Sequence, residues 1–89
     1  MSLLSEILKI KREEYKKKTY NELLLLVNED IRFSEVYAGR SFNFTIHVTK
    51  DKDRLKIMIE CSKDIFFLHM FFKYSSFSVS KSGEIEDAE

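Results

Sequence analysis

The side chains in this 89-residue chain that could do chemistry are few: Cys61 as a nucleophile, His47 and His69 as bases or metal ligands, and the carboxylates Asp51, Asp53 and Glu60. Each role carries a geometric demand. A thiol nucleophile needs a base within hydrogen-bond reach. Zinc needs its ligands within about 2.0–2.3 Å of one ion. General acid–base work needs a second titratable group poised against the first. Phosphate cradling needs a glycine-rich loop opening into a helix, whereas Gly39 and Gly83 stand alone. Whether any demand is met depends on the elements that carry these residues.

From Ile31 onward the apolar period is two. Phe42, Phe44, Ile46 and Val48 alternate with Asn43, Thr45, His47 and Thr49, which predicts a strand with one buried and one wetter face. Beyond the polar Asp51-Lys52-Asp53 turn, Leu55, Ile57, Ile59 and Cys61 alternate with Lys56, Met58, Glu60 and Ser62, giving a hairpin. After Lys63-Asp64 comes a fourth strand at 65–73, apolar on both faces, with Phe66, Leu68, Met70 and Phe72 on one and Ile65, Phe67, His69 and Phe71 on the other. Residues directly opposite in an antiparallel pair share a side of the sheet. A two-residue turn at Asp51-Lys52 sets Ile46 opposite Ile57, Phe44 opposite Ile59 and His47 opposite Lys56. One at Lys63-Asp64 sets Cys61 opposite Phe66, Ile59 opposite Leu68 and His69 opposite Met58. The two histidines then lie about 11–12 Å apart, too far to share an ion. Cys61 follows the core-face set and both histidines the opposite one, so a thiol–imidazole pair would have to reach through the sheet. Asp51 and Asp53 flank a turn with no paired acid. No catalytic residue, metal ligand or cofactor is assigned; an enzymatic reading would need His47 or His69 as acid–base with Glu60 orienting it.

The helical third comes first. Leu4, Ile7, Leu8 and Tyr15 recur on one side of 3–18, and Lys16-Lys17-Lys18 falls where a helix dipole favours cations. Thr19-Tyr20-Asn21-Glu22 has the form of a capping box opening a second helix over 20–28. A short strand near 33–38 ends at Gly39, and Phe77 and Val79 continue a shorter strand after the fourth. The expected fold is α+β: two N-terminal helices packed on one face of a four- to five-stranded antiparallel meander sheet. It is a single domain over 1–89, with 1–28 helical, 31–81 antiparallel sheet and 84–89 a frayed acidic tail.

Composition excludes further classes. Fifteen basic and fifteen acidic residues cancel, so no overall field draws the chain onto phosphates or an anionic membrane. Residues 1–20 hold six basic and three acidic groups, a local +3 set against −3 elsewhere. One cysteine makes no internal disulfide, which points to a cytoplasmic location. The longest apolar runs, Leu23–Val27 and Ile65–Phe72, fall short of the roughly 20 residues that span a bilayer.

The feature left unexplained is the fourth strand. With helices on the face holding Phe44 and Ile59, a contiguous apolar patch of Met58, Ile65, Phe67, His69 and Phe71 lies on the other, and such patches on small domains mark interfaces. The expectation is a non-enzymatic protein-interaction module, homodimeric through this aromatic sheet face. The competing arrangement has the C-terminal segment folding over that face. Two alternatives are an immunity or antitoxin-like protein that binds a partner toxin, by analogy alone, and a weak RNA-binding sheet stacking bases on Phe67, His69 and Phe71. Zero net charge and the lack of a Gly-aromatic RNA-binding motif count against nucleic acid.

The order of two helices, Gly39-Arg40-Ser41-Phe42, a charged turn, an aromatic-rich fourth strand and a terminal Ser82-Gly83-Glu84 resembles a set of small bacterial α+β domains of uncharacterised function, over about residues 19–87. The resemblance implies the fold and carries over no active-site residue.

Overall fold

A computed structural model describes residues 3–63 and 71–88. The first helix, α1, runs Leu3–Lys16. Ile7, Leu8 and Lys11 form its buried stripe, flanked by Leu4 and Tyr15. Its last turn tightens as the Lys17 and Lys18 N–H groups donate to the Glu14 and Tyr15 carbonyls. Thr19 then caps α2, Tyr20–Leu24, with both bonds of the capping box present. Glu22 N–H donates to Thr19 Oγ1 at 3.1 Å, and Thr19 N–H donates to Glu22 Oε1 at 2.8 Å. This helix is shorter than the 20–28 expected. Leu25 is its C-cap, and the chain leaves through turns to Asn28, held in the left-handed region at φ 68°. Leu23 is fully buried, and Leu26 and Val27 still pack on the core from the turns that follow.

The sheet is a five-stranded antiparallel meander in the order β1-β2-β3-β4-β5. Its strands are β1 Ile31–Tyr37, β2 Arg40–Asp51, β3 Arg54–Lys63, β4 Phe71–Ser80 and β5 Ile85–Ala88. The β2–β3 turn is Lys52-Asp53, with Asp51 opposite Arg54, and it closes because Lys52 takes φ 57°. Ile46 therefore meets Ile59, Phe44 meets Cys61 and His47 meets Met58. The register lies two residues from the expected one, so facing sets are preserved while every partner changes.

The β3–β4 pairing departs further. Most of the strand expected at 65–73 lies outside the described residues; from 71 on, a single strand Phe71–Ser80 takes in the short strand expected at 77–79 and pairs with β3. Ile57 lies opposite Phe77, Leu55 opposite Val79 and Ile59 opposite Ser75. Odd positions now meet odd positions, where the tight Lys63-Asp64 turn would have joined odd to even. This register places Phe77 opposite Ile57 and Val79 opposite Leu55, both buried in the core beneath the helices. The C-terminal tail is also corrected. Gly83 at φ 92° turns the chain back, Gly83 N–H donates to Ser80 O, and Ile85–Ala88 pairs with Val79–Ser76 as β5.

α1 lies across β3 and β4, and α2 against β2 and β3. Between the layers sit Ile7, Leu8, Leu23, Phe42, Phe44, Ile46, Val48, Leu55, Ile57, Ile59, Cys61, Phe77 and Val79. Burying each large apolar side chain contributes roughly 1.5–3 kcal/mol, so this single layer of packing is the main source of stability.

Candidate functional site

The structure places Cys61 on the opposite face of the sheet from His47 and Glu60, and His69 lies outside the described residues. Cys61 is fully buried in the core beneath α1, and burial pushes its thiol up to about 11. At neutral pH it is a packed thiol with no thiolate character. His47 projects from the other face of the sheet, partly buried, opposite Met58 rather than the expected Lys56. Glu60 shares that outer face on β3, opposite Thr45 and Tyr74. Asp51 and Asp53 are exposed at the turn, where Asp53 lies 3.8 Å from Lys81. Among the described residues no three His, Cys, Asp or Glu side chains converge as a metal site, and no helix is long and apolar enough to cross a membrane.

Of the interface expected at Met58, Ile65, Phe67, His69 and Phe71, the middle three lie outside the described residues. Phe71 opens β4 opposite Lys63. Met58 is partly buried and flanked by His47 and Ser76, so a serine takes the place expected for His69. The described outer face around Met58 is mostly polar, built from Asn43, Thr45, His47, Glu60, Ser62, Ser76 and Ser78, with Tyr74, 62% exposed, as a large aromatic beside Glu60.

The sheet edges are more informative. In β1, odd residues face the helix layer and even residues the outer side, as the pairs Phe33–Phe44 and Ser34–Asn43 show. The inner side is fixed by an unusual lysine. Lys11 is only 2% exposed, although it belongs to a highly charged helix. Its Nζ donates to Glu35 Oε1 at 2.7 Å and to Glu14 Oε2 at 3.0 Å. It also lies over the Phe33 and Phe44 rings, 5.3 and 5.1 Å from their centroids. Those rings stack with centroids 5.2 Å apart. The Tyr37 hydroxyl donates to the same Glu35 oxygen at 2.7 Å. Burial alone would lower the Lys11 pKa, but the hydrogen bonds to Glu35 and Glu14 outweigh it and raise it. Lys11 is therefore a fixed cation and no candidate nucleophile. Position 11 falls between Leu8 and Tyr15 in the apolar stripe of α1, and that spacing is the sequence signal for its burial.

On its outward side β1 is open: seven residues long, it has no backbone partner beyond β2 among the described residues. Val36, on its outer face, is 70% exposed. The opposite edge, β5, has four residues, and its acids are engaged. Asp87 pairs with Arg12 and, at 2.7 Å, with Lys16. Glu86 pairs with Arg54 at 3.0 Å.

No protein-family model, no curated protein and no solved structure matches the chain.

Proposed function

We propose that this domain is a non-catalytic protein-interaction module whose partner is a second copy of itself, joined edge to edge along β1. The observation that carries this is the open seven-residue edge Ile31–Tyr37. An uncapped edge presents a row of backbone donors and acceptors that another strand can complete. The buried Lys11 ammonium, bonded to the partly exposed Glu35, tethers this strand to α1.

Antiparallel pairing about a two-fold axis normal to the sheet keeps facing residues on one side only when their numbers have an even sum. An axis through Ser34 pairs all seven residues, Ile31 opposite Tyr37, Arg32 opposite Val36 and Phe33 opposite Glu35. The exposed Val36 is then covered by the aliphatic stem of Arg32 in the other copy. The product is a ten-stranded sheet with both helical layers on one side.

Sedimentation velocity over a concentration series tests this. Val36→Lys sets a cation opposite Arg32 twice in the symmetric dimer, and at about 0.5 kcal/mol per cross-strand pair it weakens association roughly fivefold. Val36→Glu strengthens it instead. Because Val36 is exposed, both variants keep the monomer fold. A strictly monomeric wild type, or equal behaviour of the two variants, refutes the reading.

A further inference from the structure

A second surface, independent of β1, lies at the other end of the molecule. The α1–α2 junction, the end of β2 and the β4–β5 turn enclose an open groove of about 650 Å³, within the range of small-molecule sites. Four lysines line it, Lys16, Lys18, Lys50 and Lys81, and no carboxylate does. In a chain of zero net charge that segregation is local and specific. Lys16 is already committed to Asp87 and Glu13. Of the other three, Lys81 makes a loose 3.8 Å pair with the exposed Asp53, Lys18 lies over the Tyr15 ring within electrostatic reach of Glu22, and Lys50 has no carboxylate partner among the described residues. Lys50 follows Val48 in the helix-facing set of β2, so it enters the groove because the strand outruns the apolar core. The floor is apolar. Val79 and Ile85 are paired across β4 and β5, and Leu24 of α2 stands above them.

We propose that this groove binds an organic phosphate, with the phosphoryl group among Lys18, Lys50 and Lys81 and the apolar body against Leu24, Val79 and Ile85. A phosphoryl group carries close to two negative charges at neutral pH and accepts from several ammonium donors at once, so it can draw on Lys18, Lys50 and Lys81 together and displace the weak, exposed Asp53 contact of Lys81. The hydroxyl of Ser82 and the amide of Asn21 also line the groove and supply neutral donors.

Phenyl phosphate is the probe, titrated into the 15N-labelled full chain and followed by amide chemical shifts. Saturable shifts are expected in Thr19–Leu24 and Val79–Ile85, with binding tighter than for inorganic phosphate or phenol alone. The double variant Lys50→Gln, Lys81→Gln, both at exposed positions, should weaken binding about fivefold or more while leaving the rest of the spectrum in place. The proposal is overturned by no saturation up to about 10 mM, which is weaker than any ordinary specific site. It is equally overturned by inorganic phosphate binding as tightly as phenyl phosphate, by an unaffected double variant, or by a glutamate-rich peptide shifting these amides where phenyl phosphate does not.

Discussion

The two edges of the sheet are anchored to the same helix by neighbouring residues and yet are built for opposite purposes. Lys11 reaches Glu35 on β1, while Arg12 and Lys16 reach Asp87 on β5. On the β1 side the ammonium is desolvated between two aromatic rings; on the β5 side the carboxylate stays in water, with 57% of its side chain exposed. Ion pairs in water contribute little, whereas a buried charge that loses its partners is strongly destabilising. β5 is short and charged, two of the features that discourage a further strand from adding to an edge. β1 is longer and, apart from Arg32 and the neutralised Glu35, uncharged. The tether that organises β1 is internal to the domain, so its outer edge is held in place while staying unpaired among the described residues.

The largest effect expected from this contrast is for Lys11→Ala, which removes both the buried cation and the stem packed on Phe33 and Phe44. It should lower the unfolding free energy by about 2–3 kcal/mol in urea titrations. Lys11→Met keeps the stem and lets Glu35 turn to water, so less than half of that loss is expected. An equal loss in the two variants would show that the charge, and not the packing, dominates at this edge.

A pH series sharpens the same point. The Lys11 ammonium, with the Tyr37 hydroxyl, holds the Glu35 carboxyl below its ordinary 4.5. A depressed carboxyl contributes stability above that value and loses it as pH falls through the folded pKa. The acid limb of the stability curve should therefore be shallower in Lys11→Met than in the wild type. On the alkaline side the buried Cys61 thiol, raised from 9.0 to about 11, contributes stability below 9 that is lost between those values. Cys61→Ala should flatten that limb.

The smallest effect belongs to β5. Asp87→Asn removes the exposed pairs to Lys16 and Arg12 and should leave the urea midpoint within experimental scatter at physiological salt, where such pairs are screened.

Much of this architecture was legible in the residues. The capping box at Thr19–Glu22, the alternation of Phe42 to Val48 and that of Leu55 to Cys61 appear where local chemistry dictates them. Register was not legible, because Asp51-Lys52 and Lys52-Asp53 are equally good turns and only the left-handed Lys52 decides between them. The extent of β4 was not legible for a related reason. Residues 65–72 are apolar at nearly every position and have no period to read, whereas Tyr74–Ser80 is serine-rich and shows its strand only through Phe77 and Val79. β5 depends on a partner far away in sequence, 75 residues for Arg12–Asp87, and although the place of Lys11 in the α1 stripe signals its burial, no local pattern encodes its pairing with Glu35, 24 residues away.

Amide hydrogen exchange of β1 and β5 at low and high protein concentration tests the central claim most directly. If copies join along β1, protection in Ile31–Tyr37 rises with concentration while Ile85–Ala88 does not change. Exchange in Ile31–Tyr37 that is independent of concentration, or protection that rises at Ile85–Ala88 instead, would contradict it.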